Sequence, residues 1–369
     1  MDKKIGILTF HNVYNYGANL QAYALKQYLL EQGYRAEIID YHNGKLERQY
    51  CEQLSPWFAV RKRDWILPWR WKNVISSWRW YQKTKGAWEL QSQQFVEFQR
   101  RYLDYTNEGV KTKDIAAMGY DIIIFGSDQI WDTGITGKHE RCYWGDSISK
   151  VKKISYAASL YSSIITRTEE KNIRKYLPKF DYLSVREEHL AETIRELIGR
   201  EVDVVCDPTL LLTAQRYYRL IGEKQKKERK PYILVYMVSE GKQLIDVAMQ
   251  YGYPVKVLHY YVFQTEYNGI DEDIANAGPI QFLELLRDAQ GIVTNSYHGT
   301  VFSILFQKPF TVVYEKNARI EHLLKTVDLE DAHYSGGRAL AEANTDNLTR
   351  LNAYTEESKI FLKRSIEDV

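Results

Sequence analysis

A short polar turn, residues 295–299, lies between two apolar segments and contains residue types suited to acid–base chemistry. It reads Asn-Ser-Tyr-His-Gly. The β-branched run before it, residues 291–294, is typical of a buried strand, and the apolar residues 300–306 predict a helix that ends before Pro309. This order places His298 at a helix N-terminus above the carboxyl end of a parallel strand, where open α/β sheets bind ligands. We expect His298 to donate to an anion or to exchange a proton with it near neutral pH.

The alternative is that His298 only caps its own turn. The crowding of polar residues between wholly apolar flanks favours the ligand-binding interpretation. The neighbouring Gly299 has no side chain and would allow a ligand or backbone to approach closely.

A similar turn follows the first predicted strand, residues 4–9. Asn15, Tyr16 and Gly17 precede a helix in which apolar residues recur on one face and which ends near Gly33. These three residues could line a ligand cleft, or Asn15 and Gly17 could only build the turn. There is no G-x-G-x-x-G, so the dinucleotide fingerprint is absent.

A glycine-led turn, residues 126–132, follows the strand predicted at 120–125. Ser127 does not stand in a G-x-S-x-G motif, so a nucleophile elbow is not supported. Ser127, Asp128 and Gln129 are better candidates for hydrogen bonding to a polar ligand.

Three cations are placed to bind an anion. Arg186 follows a predicted strand, a position suited to bidentate capture of phosphate or carboxylate; the alternative is an ion pair with Glu187 or Asp207. Lys316 and Arg319 lie at a predicted helix start, where the macrodipole disfavours cations. Their presence there indicates an anionic ligand or simple solvent exposure.

Strands and helices alternate in two successive runs, which predicts two βαβ-type domains joined near residues 208–230 with the ligand cleft between them. A chain of 369 residues also exceeds one ordinary core. We assign residues 1–210 to the N-terminal domain and 211–369 to the C-terminal domain. The last helix, about 355–368, is amphipathic and could cover either domain, including packing back on the first.

Composition excludes several functional classes. A net charge of +2 gives no argument for nucleic acid binding. Three widely spaced cysteines form neither a disulfide framework nor a metal cluster, and no metal-ligand spacing surrounds His298. The N-terminus has no signal-peptide core and no apolar run reaches the length of a membrane span, so we expect a cytoplasmic protein.

Residues 45–105 are predicted to be a helical insertion in the N-terminal domain. Between residues 55 and 101 lie seven of the nine tryptophans: Trp57, Trp65, Trp69, Trp71, Trp78, Trp80 and Trp88. With the excess of Lys and Arg there, this segment could contact the inner membrane surface or a lipid-linked acceptor. The alternative is a helical hairpin whose tryptophans pack on the domain, and the lack of a clean amphipathic stripe favours it.

The motifs together resemble those of the polysaccharide pyruvyl transferases. The resemblance covers most of the chain outside the insertion. It rests on Asn15–Ala18, Gly126–Trp131, Ser184–Glu187, Cys206–Thr209, Asn295–Gly299 and Lys316–Arg319. Where some members have arginine two positions before the motif histidine, this chain has Ser296, so donor binding would depend more on the three cations.

The resemblance implies an α/β fold of two Rossmann-like domains facing a cleft, like the GT-B glycosyltransferases. It also implies that phosphoenolpyruvate is the co-substrate, with no cofactor, and that its pyruvyl group forms a ketal on two hydroxyls of a sugar in surface or capsular polysaccharide biosynthesis. His298 is then the catalytic residue. The donor site comprises Arg186, Ser296, Gly299, Thr300, Lys316 and Arg319. The cleft and acceptor site comprises Asn15, Tyr16, Gly17, Gly126, Ser127, Asp128, Trp131, Asn295 and Tyr297.

Two other functions fit the same residues. A GT-B nucleotide-sugar glycosyltransferase would use the same cleft and cations for a nucleotide diphosphate. A non-catalytic carbohydrate-binding assembly protein would bind sugar without turnover.

Overall fold

The computed structural model describes residues 3–51, 71–104, 109–146, 148–160, 162, 164–222, 230–239, 241–259, 267–337 and 340–368. Its first sheet is parallel, with the strand order β2-β1-β3-β4. These strands are β1 (Lys4–Leu8), β2 (Arg35–Ile38), β3 (Ile122–Phe125) and β4 (Lys152–Ser155). A short parallel pair, β5 (Ser184–Val185) and β6 (Asp203–Val204), lies beside β4.

The second sheet is also parallel, with the order β11-β10-β7-β8-β9. Its strands are β7 (Ile233–Met237), β8 (Val255–His259), β9 (Glu272–Ile274), β10 (Gly291–Thr294) and β11 (Phe310–Val312). Strands β7 and β10 are buried along their whole length, as expected for a parallel sheet covered on both faces. The chain therefore folds as two Rossmann-like α/β domains, as the alternation of elements predicted.

Helices connect the strands and cover the sheets. They are α1 (Tyr16–Glu31), α2 (Gly44–Tyr50), α3 (Trp71–Phe98), α4 (Thr112–Ile115), α5 (Thr133–Thr136), α6 (Arg167–Tyr176), α7 (Glu188–Ile198), α8 (Ala214–Ile221), α9 (Lys242–Met249), α10 (Pro279–Asp288), α11 (Tyr297–Leu305), α12 (Ala318–Val327) and α13 (Thr345–Glu367). The π-helical turn Gln99–Leu103 continues α3. The described residues also form 3₁₀ turns at Cys142–Trp144, Leu177–Lys179, Pro208–Leu211 and Glu330–Ala332. None of the described helices is both long and apolar enough to cross a membrane.

The described part of the Trp-rich insertion is helical, since α3 and its π-helical turn cover residues 71–103. Three of its tryptophans fall in residues 52–70, outside the described residues. In α3 itself Trp71 and Trp78 are about half exposed, whereas Trp80 and Trp88 are partly buried.

The last helix packs against the first half of the chain. Ser358 on α13 accepts a hydrogen bond from the backbone N–H of Cys206 at 2.8 Å, and Arg364 pairs with Asp203 at 3.1 Å. Helix α13 also contacts α12 of the second half, so it bridges the two sheets.

One hydrophobic cluster runs through both halves of the molecule. It includes Ile5 and Ile124 of the first sheet and Leu234 and Ile292 of the second. The two sheets are therefore joined by packed side chains as well as by the chain itself, which fixes the relative position of the loops at their carboxyl ends.

Candidate active site

A cavity of about 1230 Å³ lies between the carboxyl ends of the two sheets. The first half contributes Asn15, Gln49, Tyr50, Asp128, Gln129, Asp132, Gly134 and Ile135. The second half contributes residues after β7, β10 and β11: Tyr236, Val238, Ser239, Gly241, Gln243, Leu244, Asn295, Ser296, Tyr297, His298, Val313, Tyr314, Glu315, Lys316, Asn317, Arg319, His333 and Tyr334. The cavity thus joins the turns that the sequence singled out in both halves.

His298 is held at the N-terminus of α11. Ser296 is the N-cap, and its hydroxyl accepts a hydrogen bond from the backbone N–H of Gly299 at 3.2 Å. The side chain of His298 is only 11% exposed, and its Nε2 lies 3.5 Å from Oδ2 of Asp207. Because Asp207 belongs to the first half of the chain, the imidazole and the carboxylate form a pair across the domain interface.

Asp207 is fully buried and satisfied on both oxygens. Its Oδ2 accepts from Nη1 of Arg186 at 2.7 Å, and its Oδ1 accepts from the backbone N–H and hydroxyl of Thr209 at 3.0 and 2.7 Å. Burial alone would raise the pKa of Asp207, but the nearby positive charges of His298 and Arg186 hold that pKa well below its usual range. Asp207 is therefore an ionised carboxylate that orients His298.

Gly17 forms the opposite wall around His298. A Cβ at this position would lie 2.5 Å from both Cγ and Cε1 of the imidazole. The first turn of α1 therefore packs directly on the ring, and only glycine leaves room for it. Asn15 caps the same helix by accepting from Ala18 N–H at 3.0 Å, and it also lines the cavity.

Arg186 lies behind His298 and does not line the cavity. It is 1% exposed, and it forms ion pairs with Glu187 at 3.1 Å and with Asp207 at 2.7 Å. This is the alternative to anion binding that the sequence left open for Arg186. The ring of Tyr297 lies 4.5 Å from its guanidinium carbon, and Tyr297 faces the cavity in its place. We therefore revise the donor-binding assignment of Arg186: it holds Asp207 and Tyr297 in position.

Lys316 and Arg319 do line the cavity, at the start of α12. Lys316 is exposed, and Asn317 caps the helix by accepting from Ile320 N–H. With its amide oxygen turned toward the guanidinium, Gln129 accepts hydrogen bonds from Arg319, and Nη2 donates one of them at 3.3 Å. This contact spans the cleft, since Gln129 follows β3 and Arg319 belongs to the second sheet's domain.

Several predicted site residues are buried in the structure away from the cavity. The hydroxyl of Tyr16 donates to the carbonyl of Ala277 at 2.9 Å, and its ring stacks on Phe282 at 4.7 Å, so Tyr16 joins the domains. Trp131 stacks on Trp144 at 5.6 Å within the core. Both rings are completely buried, so neither can contact an acceptor in the cavity.

Four small residues of the predicted site are also structural. The hydroxyl of Ser127 donates to Ala157 O at 3.1 Å, and Thr300 donates to Ser296 O at 2.9 Å. A Cβ on Gly299 would lie 2.5 Å from Oγ1 of Thr294, so Gly299 permits close packing of α11 on β10. A Cβ on Gly126 would overlap the carbonyl of Tyr156. These four residues shape the turns, and none of them lines the cavity.

Other lining residues were missed by the sequence analysis. Tyr314 and His333 stack at a centroid distance of 4.3 Å on the second domain's wall. Burial, with Glu321 and Glu330 nearby, raises the pKa of Tyr314 to about 12, so its phenol stays protonated and can donate. Residues 310–314 predict a strand whose last residue is Tyr314, and this position at a strand's carboxyl end was the available signal. No local pattern marked His333.

Within the described part of the chain, no group of three or more His, Cys, Asp or Glu side chains is arranged to hold a metal ion. The polar groups of the cavity include amides, hydroxyls, the imidazoles of His298 and His333, carboxylates such as that of Asp128, and two cations. Such a set can bind a ligand that carries both an anionic group and hydroxyls.

Among solved structures, the chain resembles the Staphylococcus aureus MnaA–UDP co-structure, with 12% identity, a TM-score of 0.50, and coverage of 100% of this chain and 89% of that one. It is also similar to Methanocaldococcus jannaschii UDP-GlcNAc 2-epimerase in complex with UDP-GlcNAc and UDP, with 14% identity, a TM-score of 0.49, and coverage of 96% and 92%. The likeness to the Staphylococcus aureus structure concerns the fold alone, which is GT-B-like. No curated protein matches the sequence significantly.

The sequence profile of the family described as polysaccharide pyruvyl transferase matches residues 15–317. The matched range begins at Asn15 and ends at Asn317, two residues that line the cavity. The chain belongs to the polysaccharide pyruvyl transferase family.

Proposed function

We propose that this protein transfers the pyruvyl group of phosphoenolpyruvate onto two hydroxyls of a sugar, forming a cyclic ketal in surface or capsular polysaccharide biosynthesis. The observation that carries this proposal is the His298–Asp207 pair at the wall of a cavity that also contains Lys316 and Arg319. An acid–base group beside an anion site is what this reaction requires.

The cations of the second domain form the donor site. Phosphoenolpyruvate has a phosphate and a carboxylate close together, which favours recognition by cations and helix N-termini. Lys316 and Arg319 lie at the start of α12, and Ser296 and Tyr297 place the start of α11 at the same cavity. An anion between these two helix ends would compensate both macrodipoles and both positive side chains.

The reaction balances with inorganic phosphate as the only other product. Protonation of the methylene carbon of phosphoenolpyruvate makes its central carbon electrophilic, and the first sugar hydroxyl adds there and loses its proton. The phosphate then leaves with the bonding electron pair. The second hydroxyl adds to the same carbon, and its proton goes to the leaving phosphate or to solvent.

His298 takes the proton from an attacking hydroxyl and returns one during the reaction. Asp207 keeps the imidazole oriented and stabilises it when it is positively charged, and Gly17 fixes the plane of the ring. Such a positioned group contributes roughly 10²–10⁴ in rate.

The remaining wall suits a sugar acceptor. Asn15, Asp128 and Asn295 place amide and carboxylate groups along the cavity, and the Tyr314–His333 stack offers an aromatic face. The cavity volume of about 1230 Å³ accommodates both the donor and at least one sugar ring. We propose that the acceptor is a sugar or a lipid-linked oligosaccharide, modified on the cytoplasmic side.

The test is incubation of the protein with isotope-labelled phosphoenolpyruvate and candidate oligosaccharides. We expect release of inorganic phosphate and an equal amount of labelled acceptor whose mass has increased by one pyruvyl ketal. Release of a nucleoside diphosphate from nucleotide sugars, with no consumption of phosphoenolpyruvate, would establish glycosyl transfer instead. Sugar binding without any turnover would identify a carbohydrate-binding assembly protein.

A further inference from the structure

The first turns of helix α3, residues 71–80, have three distinct faces. With about 100° of rotation per residue, Trp71, Ile75 and Trp78 fall within one narrow sector. They are 55%, 49% and 51% exposed, respectively. The buried Ser77 and the partly buried Trp88 lie on the next sector and pack toward the protein. The helix therefore presents an aromatic and aliphatic stripe to its surroundings.

A basic stripe flanks the apolar one on the side away from the packed face. Lys72, Arg79 and Lys83 are exposed and lie about 100° from the centre of the apolar stripe. Residues 71–90 contain four basic residues and one acidic residue, Glu89, which pairs with Lys85 at 3.6 Å. Positive side chains beside half-exposed tryptophans complement an anionic surface that has an apolar layer beneath it.

The other end of α3 is fixed at the domain interface. The amide of Gln91 donates to the hydroxyl of Tyr16 at 3.2 Å, and Gln94 accepts from the backbone N–H of Gly278 at 2.7 Å. The helix rises about 1.5 Å per residue, so Trp78 lies roughly 24 Å along its axis from Gln94. The exposed stripe is thus held at a set distance from the helix α1 that supports His298.

We propose that the Trp71–Ile75–Trp78 face of α3 docks in the plane of an anionic phospholipid bilayer. Tryptophan rings are favoured at the boundary between headgroups and acyl chains, and Lys and Arg beside them reach the headgroup phosphates. The described helices include none that could span a bilayer, so this contact is peripheral. The inference concerns a surface outside the cavity and does not depend on the reaction proposed above.

The test is sedimentation of the full chain with vesicles of phosphatidylglycerol and phosphatidylcholine, or of phosphatidylcholine alone. We expect binding to the anionic vesicles that weakens as salt is added. The paired substitutions Ile75→Ser and Trp78→Ser should lower the vesicle partition coefficient about tenfold, and Lys72→Glu with Arg79→Glu should lower it by at least as much. Ile164→Ser with Ile360→Ser is the matched control, because these residues are 80% and 65% exposed elsewhere.

Phosphate release with a soluble sugar acceptor should be equal in all these variants. Because this measurement reports the proposed reaction and vesicle binding reports the docking surface, the two proposals can fail independently. The docking surface is refuted if the Ile75–Trp78 variant binds anionic vesicles like the parent. It is also refuted if the control variant loses binding equally. Self-association of the parent in sedimentation velocity, abolished by Ile75→Ser and Trp78→Ser while vesicle binding persists, would assign this face to a second copy of the chain.

Discussion

His298 receives its orientation from two neighbours that lie far from it in sequence. Gly17 packs against the ring, and Asp207 lies 3.5 Å from Nε2. This distance exceeds that of an ordinary hydrogen bond, so the carboxylate acts on the imidazole through its charge. The imidazole is therefore fixed in its plane and lies beside a negative charge, which suits a group that exchanges protons.

Replacing His298 should remove turnover and leave the fold in place. We expect His298→Asn to lower kcat by roughly a hundredfold or more, because the acid–base group is lost while the side-chain volume is largely retained. Steady-state phosphate release and phosphoenolpyruvate binding by calorimetry are the measurements. A variant that unfolds, yet keeps its activity per folded molecule, would make His298 a structural cap.

Substitutions at Arg186 and Lys316 should have different effects, the first on the stability of the protein and the second on its affinity for the donor. In Arg186→Lys a single ammonium replaces the forked guanidinium whose Nη1 and Nε bond to Asp207 and Glu187. The free energy of unfolding should therefore fall by about 1–3 kcal/mol with little change in donor affinity. Lys316→Ala should weaken donor binding about tenfold and leave stability nearly unchanged, since Lys316 is exposed. Urea denaturation and calorimetry give both quantities. If Arg186→Lys instead lost donor affinity and kept its stability, Arg186 would be a direct ligand of the donor.

Asp207 should make stability depend on pH in a defined direction. Its pKa in the folded protein is below the value of 3.8 that it has when unperturbed. The stability that the ionised carboxylate contributes is therefore complete above that value and is lost as the pH falls toward the folded pKa. Asp207→Asn should cost about 3–5 kcal/mol near pH 7, because it removes one partner of a buried ion pair.

The cost of Asp207→Asn should shrink as the pH is lowered from about 4. Urea denaturation of parent and variant at pH 7, 5, 4 and 3 measures the difference in unfolding free energy. A difference that stays constant over this range would mean that Asp207 is not held ionised by His298 and Arg186.

At the scale of single elements, the close packing of α1 on His298 has a direct consequence. Gly17→Ala would normally favour a helix by about 1 kcal/mol, but the added methyl group overlaps the imidazole. We expect the ring to be displaced and kcat to fall at least tenfold while the protein stays folded.

Gly86→Ala in α3 is the matched control, because a Cβ there meets nothing within 4 Å. It should raise stability by up to about 1 kcal/mol with unchanged kcat. Circular dichroism, denaturation and phosphate release compare the two variants. Equal activity in both would show that α1 can move away from His298 without cost.

The sequence predicted most strands and helices, because hydrophobic periodicity and glycine or proline boundaries are local signals. Residues 153–160 predict a strand, but β4 ends at Ser155, since Ala157 adopts φ = 51° and the chain turns there. The short strand β9 and helix α8 were missed. Their segments, Glu272–Ile274 and Ala214–Ile221, are only three and eight residues long, which is too short to give a clear period.

The site was harder to predict than the elements. A turn at a strand end marks the cavity edge, but tertiary packing decides which of its side chains face inward. Asp128 and Asn295 line the cavity, whereas Ser127 and Trp131 in the same kind of turn do not. The pairing of His298 with Asp207 joins residues 91 positions apart in the chain, and no local pattern encodes it.

For the whole molecule, the active-site pair depends on how the two domains are held together. His298 comes from the second domain, and Asp207 and Gly17 come from the first. The domains are joined by Tyr16, whose ring stacks on Phe282 and whose hydroxyl bonds to Ala277 O. Phe282 is fully buried and also packs edge-on against Tyr236 at 4.9 Å. This contact between the domains therefore controls the position of His298 relative to Asp207.

Phe282→Ala should reduce both stability and catalysis, although this residue does not line the cavity. Loss of the ring should cost about 3–5 kcal/mol of unfolding free energy, and the loosened contact should lower kcat per folded molecule about tenfold or more by separating His298 from Asp207. Ile123→Ala is the control, because Ile123 is equally buried but lies in a cluster confined to the first domain. It should cost about 2–5 kcal/mol and leave kcat per folded molecule unchanged. Denaturation curves and phosphate release, normalised to the folded fraction, distinguish the two variants. Equal kcat values would show that the contact between Tyr16 and Phe282 stabilises the fold without aligning the site.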